Sequence, residues 1–201
     1  EEVRDLVSRE VIHRAKNMLS LVTAMQRQTA NSASSLAEFN KSFGDRIQAL
    51  ARSTDLLVDG GWSSVDLGQL VRAQLDPFLH EHTKVVDVAG PSVALGPQAL
   101  QLIGMALHEL ATNSTKYGVM SDGRGHIECH WSHTEEGGLR FQWAETGITL
   151  DPSVKRTSGF GSKVLSVLAP AMVNGSADTV TSDDALTWTV TIPPSHLGKT
   201  N

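Results

Sequence analysis

The sequence predicts an α+β protein, with an N-terminal antiparallel helical hairpin followed by an α/β sandwich built on a mixed sheet. Three observations carry that expectation. Between residues 3 and 59 apolar side chains recur at alternating spacings of four and three, as in helices packed along a seam. Beyond Trp62, amphipathic helical stretches alternate with short runs of period two, the pattern of strands with one buried face. Those runs accompany three longer helices, which suits helices layered on one face of a sheet.

Val11, Ala15, Met18, Val22 and Met25 make the first seam, and Phe43, Ile47, Leu50, Thr54 and Leu57 the second. Asn31, Ser32, Ser34 and Ser35 cluster between them and fold the chain back. Gly60-Gly61 stops the second helix. Residues 1–61 are therefore read as the hairpin and residues 62–197 as a second domain. Ile12 and Leu19 add an apolar stripe that one hairpin partner does not cover, so a homodimer pairing two hairpins in a four-helix bundle is expected.

In the second domain, Leu67, Leu70, Val71, Leu75, Phe78 and Leu79 mark an amphipathic helix. Residues 84–89 and 91–95 read as short strands around a Gly-Pro turn, and a helix is expected over about 97–117. A polar loop through Ser121, Asp122, Gly123 and Gly125 precedes a strand at 126–132, and Glu135-Glu136-Gly137-Gly138 turns it into the strand containing Leu139, Phe141 and Trp143. A loop at 146–158, a helix at 160–170 and strands near 173–180 and 186–192 complete the pattern. Small polar residues with flanking glycines predict that the loop over 147–158 is a mobile lid.

The 201 residues carry 17 Lys and Arg against 22 Asp and Glu, a formal charge of −5. That balance excludes the basic surface required for nonspecific nucleic-acid binding. A single cysteine, Cys129, excludes an internal disulfide framework and suits a reducing, cytoplasmic setting. The apolar stretch from Val164 to Val173 contains Pro170 and falls short of the roughly 20 residues a membrane helix needs. The chain opens at Glu1 inside a helical pattern and without an initiator Met, as expected of a piece of a longer protein or of a processed chain.

Three motifs carry chemistry. Glu109 and Asn113 are four residues apart near the end of a helical pattern, so they project from one face, and Lys116 follows about one turn later. An amide oxygen is a hard ligand for magnesium, and a lysine ammonium neutralises phosphate oxygens. Glu145 leaves a strand just before Gly147, where a carboxylate can accept from an exocyclic amine such as that of adenine. Gly159-Phe160-Gly161-Ser162-Lys163 opens a helical run, pointing free backbone N–H groups and the helix's positive end at a phosphate. Each motif alone has a bland explanation in a polar helix face, a charged turn or an ordinary loop. Their order along the chain favours a nucleotide site.

These residues resemble the motifs of the HWE family of bacterial sensor histidine kinases, over nearly the whole chain from His13 to Pro193. His108-Glu109-Leu110-x-Thr112-Asn113-x-x-Lys116-Tyr117-Gly118 is similar to the family's N box, Trp143-x-Glu145 to its Trp-x-Glu, and Gly159-Phe160-Gly161-Ser162 to its second Gly-rich box. His13-Arg14-Ala15-Lys16-Asn17 is similar to its phosphoacceptor box. Two departures stand out: Ile148-Thr149 follows Gly147 where the family has a second glycine and a proline, and Ser114 replaces the more usual Ala.

The resemblance implies a Bergerat-type ATP-binding fold and an ATP-dependent protein histidine kinase that phosphorylates His13 and passes the phosphoryl group to an Asp of a response regulator receiver domain. ATP and magnesium are the implied cofactors. Asn113 is the implied magnesium ligand, and Lys116, Tyr117, Glu145, Gly147, Gly159, Phe160, Gly161 and Ser162 are the implied nucleotide contacts beside it. Glu109 is the second catalytic residue, open to polarising His13, accepting its proton or orienting a magnesium-bound water. A Bergerat-fold ATPase without phosphotransfer and a non-catalytic histidine phosphotransfer protein are the alternatives.

The helical register places His13 farthest from the seam, so it is expected to face solvent, where a second domain can reach it. An imidazole with the ordinary pKa of about 6.5 is mostly neutral and nucleophilic at neutral pH. Arg14 follows it, so no acid lies adjacent in sequence to take the proton. His126, Cys129, His130 and His133 imitate a metal cluster, but strand alternation splits Cys129 and Trp131 from His126, Glu128 and His130. His108 cannot share Glu109's direction and either supports the site or packs in the core.

Overall fold

A computed structural model describes residues 2–79, 85–148 and 164–198; within them, the side chains of residues 2–11, 13, 14, 122 and 167–170 lie outside the described set. The chain forms two compact units, Glu1–Ile47 and Gln48–Asn201.

The first unit contains helix α1 (Glu2–Ser32) and the first turns of helix α2 (Leu36–Asp59). The reversal between them is built by a local signal, Ser35-x-x-Glu38. The Glu38 amide donates to Ser35 Oγ at 3.1 Å, while Glu38 Oε2 accepts from the Ser34 amide at 2.8 Å and the Ser34 hydroxyl at 2.6 Å. This is a variant of the capping box, with donors satisfied from both directions. Arg46 donates to Thr29 Oγ1 at 3.0 Å across the turn, and that hydroxyl donates to the Met25 carbonyl at 2.6 Å.

Among the described side chains of α1, the buried positions are Leu21, Met25 and Thr29. Of the expected seam, Met25 is buried, Met18 and Val22 are half-buried and Ala15 is exposed. Thr29 escaped the apolar pattern because its hydroxyl is satisfied within its own helix, which lets a polar side chain sit at 0% exposure. Ile12 and Leu19 are 51% and 66% exposed.

In the second unit a five-stranded sheet runs in the order β2-β4-β5-β7-β6. The strands are β2 (Val86–Ala89), β4 (His126–His133), β5 (Leu139–Thr146), β6 (Ser176–Thr181) and β7 (Ala185–Ile192). β2 pairs with β4 in parallel and the remaining pairs are antiparallel, so the sheet is mixed. One face alternates into the core through Ile127, Cys129 and Trp131 of β4, Leu139, Phe141 and Trp143 of β5, and Trp188, Val190 and Ile192 of β7, all buried. Helices α3 (Leu67–Leu79) and α4 (Pro97–Tyr117) join them in one hydrophobic core. A π-helical turn at Val164–Leu168 continues into α6 (Ala169–Val173), and the Trp188 indole donates to the Leu165 carbonyl at 3.0 Å.

The two short strands expected around Gly90-Pro91 do not pair with each other. β3 (Ala94–Leu95) pairs instead with β1 (Val65–Asp66), a strand too short for any period to reveal. The reason lies at the bend. The Trp131 indole lies against Gly90, where a Cβ would collide with it, and donates to the Pro91 carbonyl at 2.7 Å. The Gly-Pro segment is thereby pinned to β4 rather than closing a hairpin.

Gly96 and Pro97 start α4 with φ preset for a helix. The helix is buried on every side from Leu102 through Ala111. At Gly104 a Cβ would meet the Ser53 hydroxyl and lie 3.2 Å from Gln74 Nε2. Gln74 is fully buried; its Nε2 donates to the Ala49 carbonyl at 2.8 Å and to Ser53 Oγ at 2.9 Å, and its Oε1 accepts from Arg52 at 3.3 Å. The last turns of α2 are thus bonded to α3 within the second unit. Among the described residues, no helix is long and apolar enough to cross a membrane.

Candidate functional site

Helix α4 carries the N-box residues from the core outward. Glu109 is 3% exposed, Asn113 and Lys116 are exposed, and Tyr117 is 50% exposed. The helix stops at Gly118, whose backbone is extended, and a single turn, α5 (Val119–Asp122), follows.

Strand β5 supplies the other half. Its inward positions are Leu139, Phe141, Trp143 and Glu145, so the period that buries three apolar side chains also buries a carboxylate, at 3% exposure. Burying an anion is costly unless donors replace its water. Three do: Ser114 Oγ donates to Oε2 at 2.9 Å, the Val119 amide donates to Oε2 at 3.0 Å, and the Trp143 indole donates to Oε1 at 3.0 Å. Ser114 Oγ in turn accepts from the Met120 amide at 3.1 Å. Gly118 completes the cradle, because a Cβ there would overlap the Glu145 carboxylate. The end of α4 and the end of β5 are therefore joined through one side chain.

The role of Ser114 was not evident from the motif comparison, yet the sequence holds a signal. Ile103, Leu107 and Leu110 lead to Ser114 at helical spacing, and a hydroxyl on an apolar stripe calls for a buried partner. Gly147 follows β5 with φ +74°, and a Cβ on it would lie 2.9 Å from the Gly125 Cα. Ile148 is buried and its amide donates to the Asp184 carbonyl at 3.1 Å, which fastens the start of the expected lid. Most of that lid, from 149 to 158, lies outside the described residues, as do Gly159, Phe160, Gly161 and Ser162. His13 lies on α1, but its side chain is not among those described.

The strand alternation that divides the would-be metal cluster holds. Ile127, Cys129 and Trp131 are buried while His126 and Glu128 are exposed, and His130 bonds Asp87 at 2.9 Å. Among the described residues, no group of three or more His, Cys, Asp or Glu could hold a metal ion. Burial pushes the Cys129 thiol pKa up, suppressing the nucleophilic thiolate. His108 is 6% exposed, with its ring 5.9 Å from that of Phe78, and packs in the core. The Asn113 amide oxygen suits a magnesium ion that takes most of its other oxygens from phosphates and water, the usual mode for that cation at nucleotide sites.

The fold is that of a histidine kinase domain. The histidine kinase domain of the Erythrobacter litoralis EL346 blue-light activated histidine kinase superposes with a TM-score of 0.65 at 16% identity, covering 89% of this chain and 84% of that one. Residues 10–92 match the family HWE histidine kinase. A blue-light-activated histidine kinase of Brucella anthropi is 29% identical over 198 residues, covering 96% of this chain and 40% of that protein. Its counterpart in Brucella ovis is 32% identical over 174 residues, covering 84% of this chain and 35% of that protein. The chain spans 35% to 40% of the length of these curated relatives.

Proposed function

We propose that this chain is the catalytic core of an ATP-dependent protein histidine kinase in a cytoplasmic two-component system. Residues 1–61 serve as dimerisation and phosphoacceptor hairpin, and residues 62–197 bind ATP. The observation that carries the reading is the junction of the N-box helix with the Trp-x-Glu strand: Glu109, Asn113 and Lys116 occupy one helix, and its next turn is bonded to Glu145. A row suited to phosphates and a carboxylate suited to an amine on adjoining elements support a nucleotide with a base at one end and phosphates at the other.

Glu145 accepts from the exocyclic amine of adenine. Tyr117 and Gly147 flank the nucleotide, Gly159, Phe160, Gly161 and Ser162 offer backbone donors to its phosphates, and Lys116 neutralises them. Magnesium, held by Asn113, would supply charge neutralisation between phosphate oxygens. The neutral imidazole of His13 forms a bond to the γ-phosphorus as the bond to the bridging oxygen breaks, and ADP leaves. Glu109 polarises the imidazole and takes its proton. Positioning and charge neutralisation account for most of the rate enhancement in such transfers. The phosphoryl group then passes to an Asp of a response regulator receiver domain. Incubation with magnesium and γ-labelled ATP should yield a label stable to alkali and lost in acid, the signature of phosphohistidine. Release of phosphate without protein label would point to the ATPase alternative.

A further inference from the structure

We propose that Ser114 is a positioning residue that sets base selectivity by fixing the orientation of the Glu145 carboxylate. This rests on Glu145 as the adenine acceptor. A carboxylate offers about four acceptor positions, and three described donors occupy three of them. Their distribution is uneven. Among the described residues, Oε2 takes both the Ser114 hydroxyl and the Val119 amide, whereas Oε1 takes only the Trp143 indole. The position left for an incoming amine is therefore on Oε1.

The terminal torsion of a glutamate is broad and roughly two-fold, so the two oxygens are not distinguished by the side chain itself. Ser114 distinguishes them. With Ser114 the donors divide two to one; without it, Val119 and Trp143 leave one on each oxygen and either could meet the base. The hydroxyl is also aimed. Its oxygen accepts from the Met120 amide at 3.1 Å, which directs its proton toward Glu145, and at 1% exposure water does not compete for it. A single acceptor in a single place favours a base with an amine over one with a carbonyl at that point. A mobile carboxylate discriminates less, since selectivity of this kind depends on unsatisfied polar groups being fixed against the wrong ligand.

The test is equilibrium binding of ATP and GTP to the full chain with magnesium, with no turnover required. Ser114→Ala should lower the ratio of ATP to GTP affinity by roughly three- to ten-fold, the scale of one hydrogen bond. Ser114→Thr, which keeps the hydroxyl, should restore most of that ratio. A residue that merely stabilised the fold would weaken both nucleotides together and leave the ratio unchanged, and that result overturns the proposal. Glu145→Gln separates the two levels. If Glu145→Gln loses discrimination while Ser114→Ala keeps it in full, Ser114 is not the positioning residue, though the adenine reading stands. If Glu145→Gln itself keeps discrimination, the adenine reading fails and the proposal falls with it.

Discussion

The Trp143 indole donates to Glu145 Oε1 at 3.0 Å, a bond between two residues on one face of β5. The spacing of the Trp-x-Glu motif follows from it: in a strand only alternate residues share a face, so a Trp placed two before the Glu can supply a donor from within the core. Trp143→Phe keeps a ring and deletes that donor. The expected loss is about 1.5–3 kcal/mol for a bond to a charged group, on top of the cavity term. Trp188→Phe, which deletes a donor to the neutral Leu165 carbonyl, should cost less. Denaturant unfolding of both variants checks this; equal losses would remove the special standing of the Glu145 bond.

Gly118 is required for space rather than for conformation. Its φ of −121° is open to any residue, so alanine brings no backbone strain. Its Cβ would still meet the Glu145 carboxylate, and Gly118→Ala should cost about 1–3 kcal/mol, as overpacking does. ATP affinity should fall along with the unfolding midpoint. Unchanged melting and binding would show that the carboxylate can yield.

Self-labelling should separate the nucleophile from the nucleotide site. His13→Gln is expected to bind ATP with wild-type affinity and take up no label, because an amide is no nucleophile. Asn113→Ala should lose a magnesium ligand and nearly all transfer while the fold persists, since Asn113 is exposed. Label retained on the His13 variant would move the phosphoacceptor elsewhere.

Cys129 predicts an alkaline weakness. Burial raises its pKa in the folded state, so above the ordinary thiol value the unfolded chain releases a proton that the native protein retains. Native stability from this residue is intact below roughly pH 8.5 and declines above it, by about 1.4 kcal/mol per pH unit until the folded pKa is reached. Cys129→Ala should lack that part of the slope in pH-dependent unfolding. The native thiol should also resist alkylation at neutral pH and react once the chain is unfolded.

The expected dimer surface lies on α1. Ile12 and Leu19 lie seven residues apart and are both largely exposed in the single chain. Covering such a stripe gains roughly 25 cal/mol per Å² of apolar surface. Light scattering should report a dimer at micromolar concentration, and Ile12→Asp with Leu19→Asp should shift it to monomer. A wild-type monomer whose stability ignores both substitutions would exclude this surface.

Much of this was legible because period and burial agree. Residues 97–117 were readable as a helix from a long apolar pattern with Pro at its start and Gly after its end, and those are its observed bounds. The alternation in β4 and β5 likewise placed Cys129 and Trp143 inward. What escaped depended on contacts remote in sequence. β1 is two residues long and exists only because β3 lies beside it, and β2 is parallel to a strand some forty residues away. At the site, residue types could be read but not their bonding: Ser114 and Glu145 are 31 positions apart, and no local pattern announces that one holds the other.

The Gln74 cluster bears on where such a module could be cut. Ala49 and Ser53 precede the double glycine that ends α2, yet they satisfy a fully buried amide of α3. A fragment excised at Trp62 would strip that amide of both acceptors and remove Leu57 from the core, leaving a raw apolar patch over α3 and α4. Transplanting the sheet-containing unit onto another domain therefore means carrying the last dozen residues of α2 along, with the junction placed within that helix rather than at the glycines that invite it.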